Sequence, residues 1–268
     1  MPAVELSRLN TQIRLLTRQY ASADEFVKHL CDLYEFYSDR TFTASDASQH
    51  SLTLPAYNVT PLINRQFELE FSQLCQANPL SSLDVIDALW KQPNLEPRRL
   101  AAYLLGNIPV AYADEVIHRL KEWSLREEDR ELMKYLQDHG SLLLRHQVTR
   151  RWLNVIRAWL ESPNSHDQLF GLQSLLPLIH DPDYIDLPEV FDLLSQQLAA
   201  PQPRLAFTLQ TVLTALAERT PNETVYLLKS VLDRPHTAEA TRLIRRLAAS
   251  FPEEQQKSLK TALAKAQK

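Results

Sequence analysis

Apolar side chains recur at three- and four-residue steps along most of this chain. Val4, Leu6, Leu9, Ile13 and Leu16 form one row, and Phe26, Val27, Leu30, Leu33 and Tyr34 form another. That spacing puts each row on one face of a helix. It predicts helices near 3–20 and 23–38. Residues 39–59 break the rhythm. They are rich in Ser, Thr, Asp and Ala, with Pro55 near the end, and they read as a polar loop. Loops of that length inside a compact domain are often functional.

From residue 60 onward the pattern is one of short helices divided by proline. Pro61, Pro79, Pro97, Pro203, Pro221 and Pro252 each stand at or just before a helical row, where a missing N–H costs little. Thr220-Pro221-Asn222-Glu223 fits a capping box, with Thr220 as N-cap and Glu223 reaching back. Helix pairs can be drawn near 96–123, 127–161, 166–199, 203–233 and 237–264. The starts at 166, 203 and 237 are 37 and 34 residues apart, and the step from 98 to 166 is 68, two such units. The first helices carry similar apolar rows: Leu100-Leu104-Leu105, Leu169-Leu172-Leu175-Leu176, Leu205-Leu209-Val212-Leu213 and Leu243-Ile244-Leu247.

A period in the thirties built from two short helices predicts an all-α fold, an α-solenoid in which each pair is stable by stacking on its neighbours. The expected architecture is a right-handed superhelix of paired antiparallel helices with a concave inner face. It forms a single domain over 1–268: capping helices in 1–38, the polar loop at 39–59, and repeats over 60–268. An irregular all-α bundle is the competing reading.

Composition narrows the chemistry. The chain has 268 residues and only three glycines, Gly106, Gly140 and Gly171. Neither a dinucleotide-binding fingerprint nor a P-loop can be written from them, and a sheet-rich fold needs more glycine for its turns. Cys31 and Cys75 are 44 residues apart and form no C-x-x-C, so both read as reduced structural thiols. No basic-then-apolar leader follows Met1, and no run approaches the roughly 18 apolar residues of a membrane helix. The expectation is a cytoplasmic monomer with no membrane partner.

The eight histidines form no zinc-ligand spacing. His139 and His146 can share a helical face only if Gly140 does not interrupt it. No metal and no cofactor are expected.

Net charge is −4, but it is unevenly spread: −3 over 1–100, −6 over 101–200 and +5 over 201–268. A strongly basic nucleic-acid binder is not indicated by the total. The total leaves room for a local basic surface in the last third. Arg242, Arg245 and Arg246 stand at i, i+3 and i+4, one helical stripe, where like charges are unfavourable without an anionic partner. Arg145, Arg150, Arg151 and Arg157 cluster around one predicted helix, and Arg204 stands at a helix start. These arginines suit phosphate contacts. Solvated surface charge is the plainer reading.

Four stretches carry a likeness to a known family. They are Tyr57-Asn58-Val59-Thr60-Pro61-Leu62-Ile63; Ala88-Leu89-Trp90 followed by Glu96, Arg98, Arg99, Leu100, Ala101 and Ala102; Trp159-Leu160-Glu161-Ser162-Pro163-Asn164; and Thr211 to Leu228 with Thr237 to Phe251. In their order and spacing, over roughly 55–255, the chain resembles the bacterial DNA alkylation repair family of HEAT-like repeat proteins (the AlkD/AlkC type).

The resemblance implies a helical solenoid whose concave face holds double-stranded DNA. It also implies excision of cationic N3- or N7-alkylated purines without a metal or redox cofactor. The family's glycosylases set a catalytic aspartate beside tryptophans: ring faces attract a cationic base, and the carboxylate stabilises the cationic sugar.

This chain departs from that pattern twice. Residues 126–133 hold no Trp-Asp pair. An ungapped count back from Gly140 puts Arg130 at the aspartate position, and small shifts put Asp129 or Glu131 there. After Asn164, His166 takes the tryptophan's place and Gln168 an arginine's.

The candidate catalytic acids are therefore Asp129 and Glu131, in an acidic run with Glu127 and Glu128 whose plainer reading is a charged first helical turn. The candidate lesion-pocket residues are Trp123 and His166, with core packing the plainer reading of Trp123. The DNA-contact candidates are Arg145, Arg150, Arg151, Arg204, Arg242, Arg245 and Arg246. The expected function is DNA binding by shape and phosphate contact, with glycosylase activity weak or altered in substrate. The alternative is a non-catalytic scaffold that holds a protein partner in the concave groove.

Overall fold

The computed structural model describes residues 6–38, 54–126 and 129–266. Among the described residues the regular structure is all helical. The first expected pair is α1 (Leu6–Thr17) and α2 (Ala23–Phe36). Proline opens α3 (Pro61–Ala77) and α4 (Pro79–Trp90) at the first helical position. Then come α5 (Leu95–Leu105), α6 (Ala113–Arg126), α7 (Arg130–Gly140) and a short α8 (Leu142–Gln147). The remainder holds α9 (Thr149–Leu160), α10 (Ser165–Gln173), α11 (Leu176–His180), α12 (Leu187–Ala199), α13 (Ala206–Arg219), α14 (Pro221–Leu232), α15 (Ala238–Leu247) and α16 (Glu253–Lys265). Of the polar loop expected at 39–59, residues 39–53 lie outside the described residues.

The chain divides into two compact units, Met1–Val148 and Thr149–Lys268. In the first, α1, α3, α5 and α7 pack each on the next as one layer. A second layer runs from α2 to α4 and on to α6. The step from α4 to α6 is tied by Asp87, which accepts two bonds from the Arg119 guanidinium at 2.8 and 2.7 Å, and by the stacked rings of Trp90 and Trp123. In the second unit, α10, α13 and α15 form one layer, and α9, α12, α14 and α16 the other. Alternation of successive helices between two layers is what a repeated helix pair produces.

The apolar rows seen in the sequence are the contact surfaces. Leu100, Leu104, Leu105, Leu172, Leu175, Leu209, Val212, Leu213, Leu243, Ile244 and Leu247 are all buried. The expected pair at 127–161 differs. It holds three helices, and the division between the units falls inside it. A second difference is the cap at 220. The helix does begin at Pro221, but Thr220 makes no side-chain cap bond. Its backbone lies outside the usual cap geometry, and its hydroxyl donates back to the Leu216 carbonyl at 3.4 Å.

Two glycines stand where neighbouring helices approach closely, and Gly106 sets the spacing of α5 and α7. A Cβ on Gly106 would lie 1.8 Å from the His139 carbonyl oxygen, and one on Gly140 would lie 2.9 Å from Leu120. The Gly106 carbonyl also accepts the Leu143 amide at 3.1 Å. The obstacle at Gly106 is backbone, which cannot swing aside as a side chain does. Gly106→Ala is expected to destabilise the protein by at least about 2 kcal/mol. Urea unfolding of the variant beside the wild type measures this.

Candidate nucleic-acid interface

The close approach of α5 and α7 aligns two polar edges. On α5, Arg99 and Tyr103 are four residues apart and share a face; on α7, Tyr135 and His139 do the same. Glu68, from α3, meets them. The Tyr135 hydroxyl donates to Glu68 Oε1 at 2.7 Å. The Arg99 guanidinium lies over the Tyr135 ring, 4.4 Å from its centre. The His139 ring lies 4.1 Å from Tyr135 and 5.8 Å from Tyr103. Arg65 and Glu68 both act electrostatically on the Tyr103 hydroxyl. Three aromatic rings, two guanidinium groups and one carboxylate thus gather on one half-open side of the first unit.

Burial governs the protonation of this cluster. It raises the Tyr135 phenol, and the bond to Glu68 raises it further, so Tyr135 stays a donor. It lowers the His139 imidazole, and the positive charges of Arg145 and Arg99 lower it further, against the opposing pull of Asp138.

A buried carboxylate fastens the segment that leads into α3. Glu96, in the first turn of α5, accepts the Tyr57 amide at 2.9 Å and the Asn58 amide at 2.7 Å. The Leu95 amide donates to the Pro55 carbonyl at 2.9 Å. Asn58 has φ of 56°, a left-handed conformation that asparagine tolerates. Two of the sequence stretches singled out above, 57–63 and 88–102, are therefore one physical contact.

The sequence-derived candidates in this unit fare differently. Asp129 is 2% exposed, and its Oδ1 accepts the Leu132 amide at 2.9 Å as the N-cap of α7. Glu131 is exposed in the following turn, and Glu127 and Glu128 lie outside the described residues. Trp123 is buried under Trp90, ring on ring at 4.1 Å and 4°, so it offers no open face.

Arg145 corrects an expectation. It is 8% exposed, and its guanidinium donates to the Gln137 and Asp138 carbonyls and to Ser141 Oγ. It binds the end of α7, where orphan carbonyls gather. That burial keeps it from phosphate. The α7 helix ends at Gly140 and α8 starts at Leu142, so His139 and His146 share no helical face.

In the second unit, Arg150 and Arg151 are exposed in the first turn of α9, and Arg204 is exposed before α13. Arg157 is paired with Glu189 at 3.6 Å. The α15 helix buries Ala240, Leu243, Ile244 and Leu247 and leaves Arg242, Arg245 and Arg246 exposed. Arg242 pairs with Glu239 at 3.4 Å, an exposed contact of small value. His166 is half-buried, with its Nε2 buried and unbonded among the described residues. Gln168, at the arginine's place, is buried and donates to the Ser162 carbonyl at 2.8 Å.

The model of the family described as DNA alkylation repair enzyme matches residues 60–251. The chain belongs to that family. No curated protein matches it. This DNA alkylation repair family member thus carries two exposed polar surfaces, one per unit. Of the sequence candidates, Trp123 is a stacked core ring and Asp129 a helix cap. Among the described residues no helix is long and apolar enough to cross a membrane.

The Glu68–Tyr135–His139 grouping was missed by reading the sequence, although the paired i, i+4 spacings of Arg99/Tyr103 and Tyr135/His139 were there to find. His139 also has a pH signature. Its folded value lies below the ordinary 6.5, so as pH falls the unfolded chain takes up the proton first. The resulting stability is present above about pH 6.5 and is lost as pH drops through the lowered value. His139→Gln is expected to lose less urea resistance than the wild type between about pH 7 and pH 5.5, compared by unfolding midpoints.

Proposed function

We propose that this protein binds double-stranded DNA by phosphate contact and contributes little base excision of its own. The observation that carries the reading is the exposed Arg242, Arg245 and Arg246 stripe of α15, whose opposite face is buried. Three like charges on adjoining turns repel one another, and a row of phosphates relieves that repulsion. Arg150, Arg151 and Arg204 of the same unit are exposed cations that suit the same role. Membership of a DNA alkylation repair family supports a nucleic-acid partner.

Excision is disfavoured on physical grounds. A carboxylate that stabilises a sugar cation must reach the sugar. Asp129 is buried with one oxygen already accepting a backbone amide. A ring that holds a cationic base must have an open face, and Trp123 is covered by Trp90.

Duplex binding is measured by fluorescence anisotropy between about 50 and 200 mM salt. Changing Arg242, Arg245 and Arg246 together to Ala should weaken binding and reduce the salt slope by about two to three. An unchanged slope overturns the phosphate role. Absence of binding at the low salt would instead favour a protein-interaction scaffold.

A further inference from the structure

We infer that the half-open side of α3, α5 and α7 takes an unpaired DNA base, stacked on Tyr103 and read through Glu68. The inference rests on the DNA-binding reading above and deepens it by naming the form of DNA this unit prefers.

The first argument is the kind of side chain present. The α15 stripe carries guanidinium groups and no ring, which suits backbone phosphates. The α3–α5–α7 side interleaves Arg65 and Arg99 with Tyr103, Tyr135 and His139. Phosphates ask only for cations; exposed bases ask also for π faces.

The second argument is the order of the rings. Tyr135 is already engaged, with His139 at 4.1 Å and the Arg99 guanidinium at 4.4 Å. Tyr103 has one ring near it among the described residues, His139 at 5.8 Å and tilted by 44°, and is half-buried. Among the described residues no other ring or cation is stacked on it. Tyr103 is the open end of the series, the place where one more flat group continues it.

The third argument is Glu68. One oxygen accepts the Tyr135 hydroxyl, which fixes the carboxylate; the other accepts no hydrogen bond among the described residues. A fixed carboxylate with a vacant oxygen selects N–H donors. A base paired in a duplex has its pairing-edge donors in use, whereas an unpaired guanine presents two adjacent N–H groups on that edge. Thymine presents one N–H flanked by two carbonyls, which a carboxylate repels. The site therefore favours unpaired guanine over unpaired thymine.

The test uses the full chain and three labelled duplexes: fully paired, with one bulged guanine, and with one bulged thymine. Anisotropy at constant salt should show the guanine bulge bound about tenfold more tightly than the paired duplex. Tyr103→Leu should abolish that preference and Tyr103→Phe should keep it. Glu68→Gln should bring the two bulges to near parity. Equal wild-type affinity for bulged and paired probes overturns the inference and leaves the phosphate reading standing. So does a guanine preference that survives Tyr103→Leu. Binding of the guanine bulge without any binding of the paired duplex supports the inference and removes the phosphate reading at α15. No binding of any probe overturns both.

Discussion

The first unit depends on one backbone contact. At Gly106 the end of α5 meets the end of α7 so closely that the His139 carbonyl occupies the space of a side chain. Ordinary helix pairs are held about 8–10 Å apart by the side chains between them. Here the missing Cβ removes that spacer, and the Leu143 amide bonds the Gly106 carbonyl across the gap. Everything on the polar edge follows from this approach. Arg99 reaches the Tyr135 ring and Tyr103 reaches His139 because their helices are that near. A scarcity of glycine is thus informative: with only three, each is placed where a Cβ would be crowded by a neighbouring backbone or core side chain.

The arginines divide into two populations that composition cannot separate. Arg145 and Arg219 are structural. Arg219 donates to the carbonyls of Leu178, Ile179, Asp181, Pro182 and Tyr184, gathering a whole turn between α11 and α12. Arg145 does the same for the end of α7. Both sit beside helix ends that leave carbonyls without partners. Among the described residues, the one ion pair at the exposed arginines of α15 joins Arg242 to Glu239. The formal charge of +5 over 201–268 therefore overstates nothing on α15 but includes a cation occupied within the fold.

The fold was largely legible in the sequence because helix periodicity and proline placement act locally. Pro61, Pro79 and Pro221 open helices as their geometry requires, and the leucine rows became the layer contacts. The site was less legible because it is made of partners distant in sequence. Glu68 and Tyr135 are 67 residues apart, and Glu96 and Asn58 are 38 apart. A charge count reads Arg145 and Arg242 alike, and only the three-dimensional neighbours of each tell them apart. Asp129 illustrates the same limit. An acid before a helix has the same sequence appearance whether it caps the helix or faces a ligand.

The Glu96 contact has a bearing on what counts as a repeat in this protein. By holding Tyr57 and Asn58 at the start of α5, it closes the pair α3 and α4 into a ring fastened at its two ends. The modular piece is then not a helix pair bounded by its own turns. It runs from Pro55 to Glu96, and it borrows its clasp from the next pair. Duplicating or transplanting α3 and α4 without Glu96 would leave two backbone amides facing nothing, and the copied module would arrive unlatched.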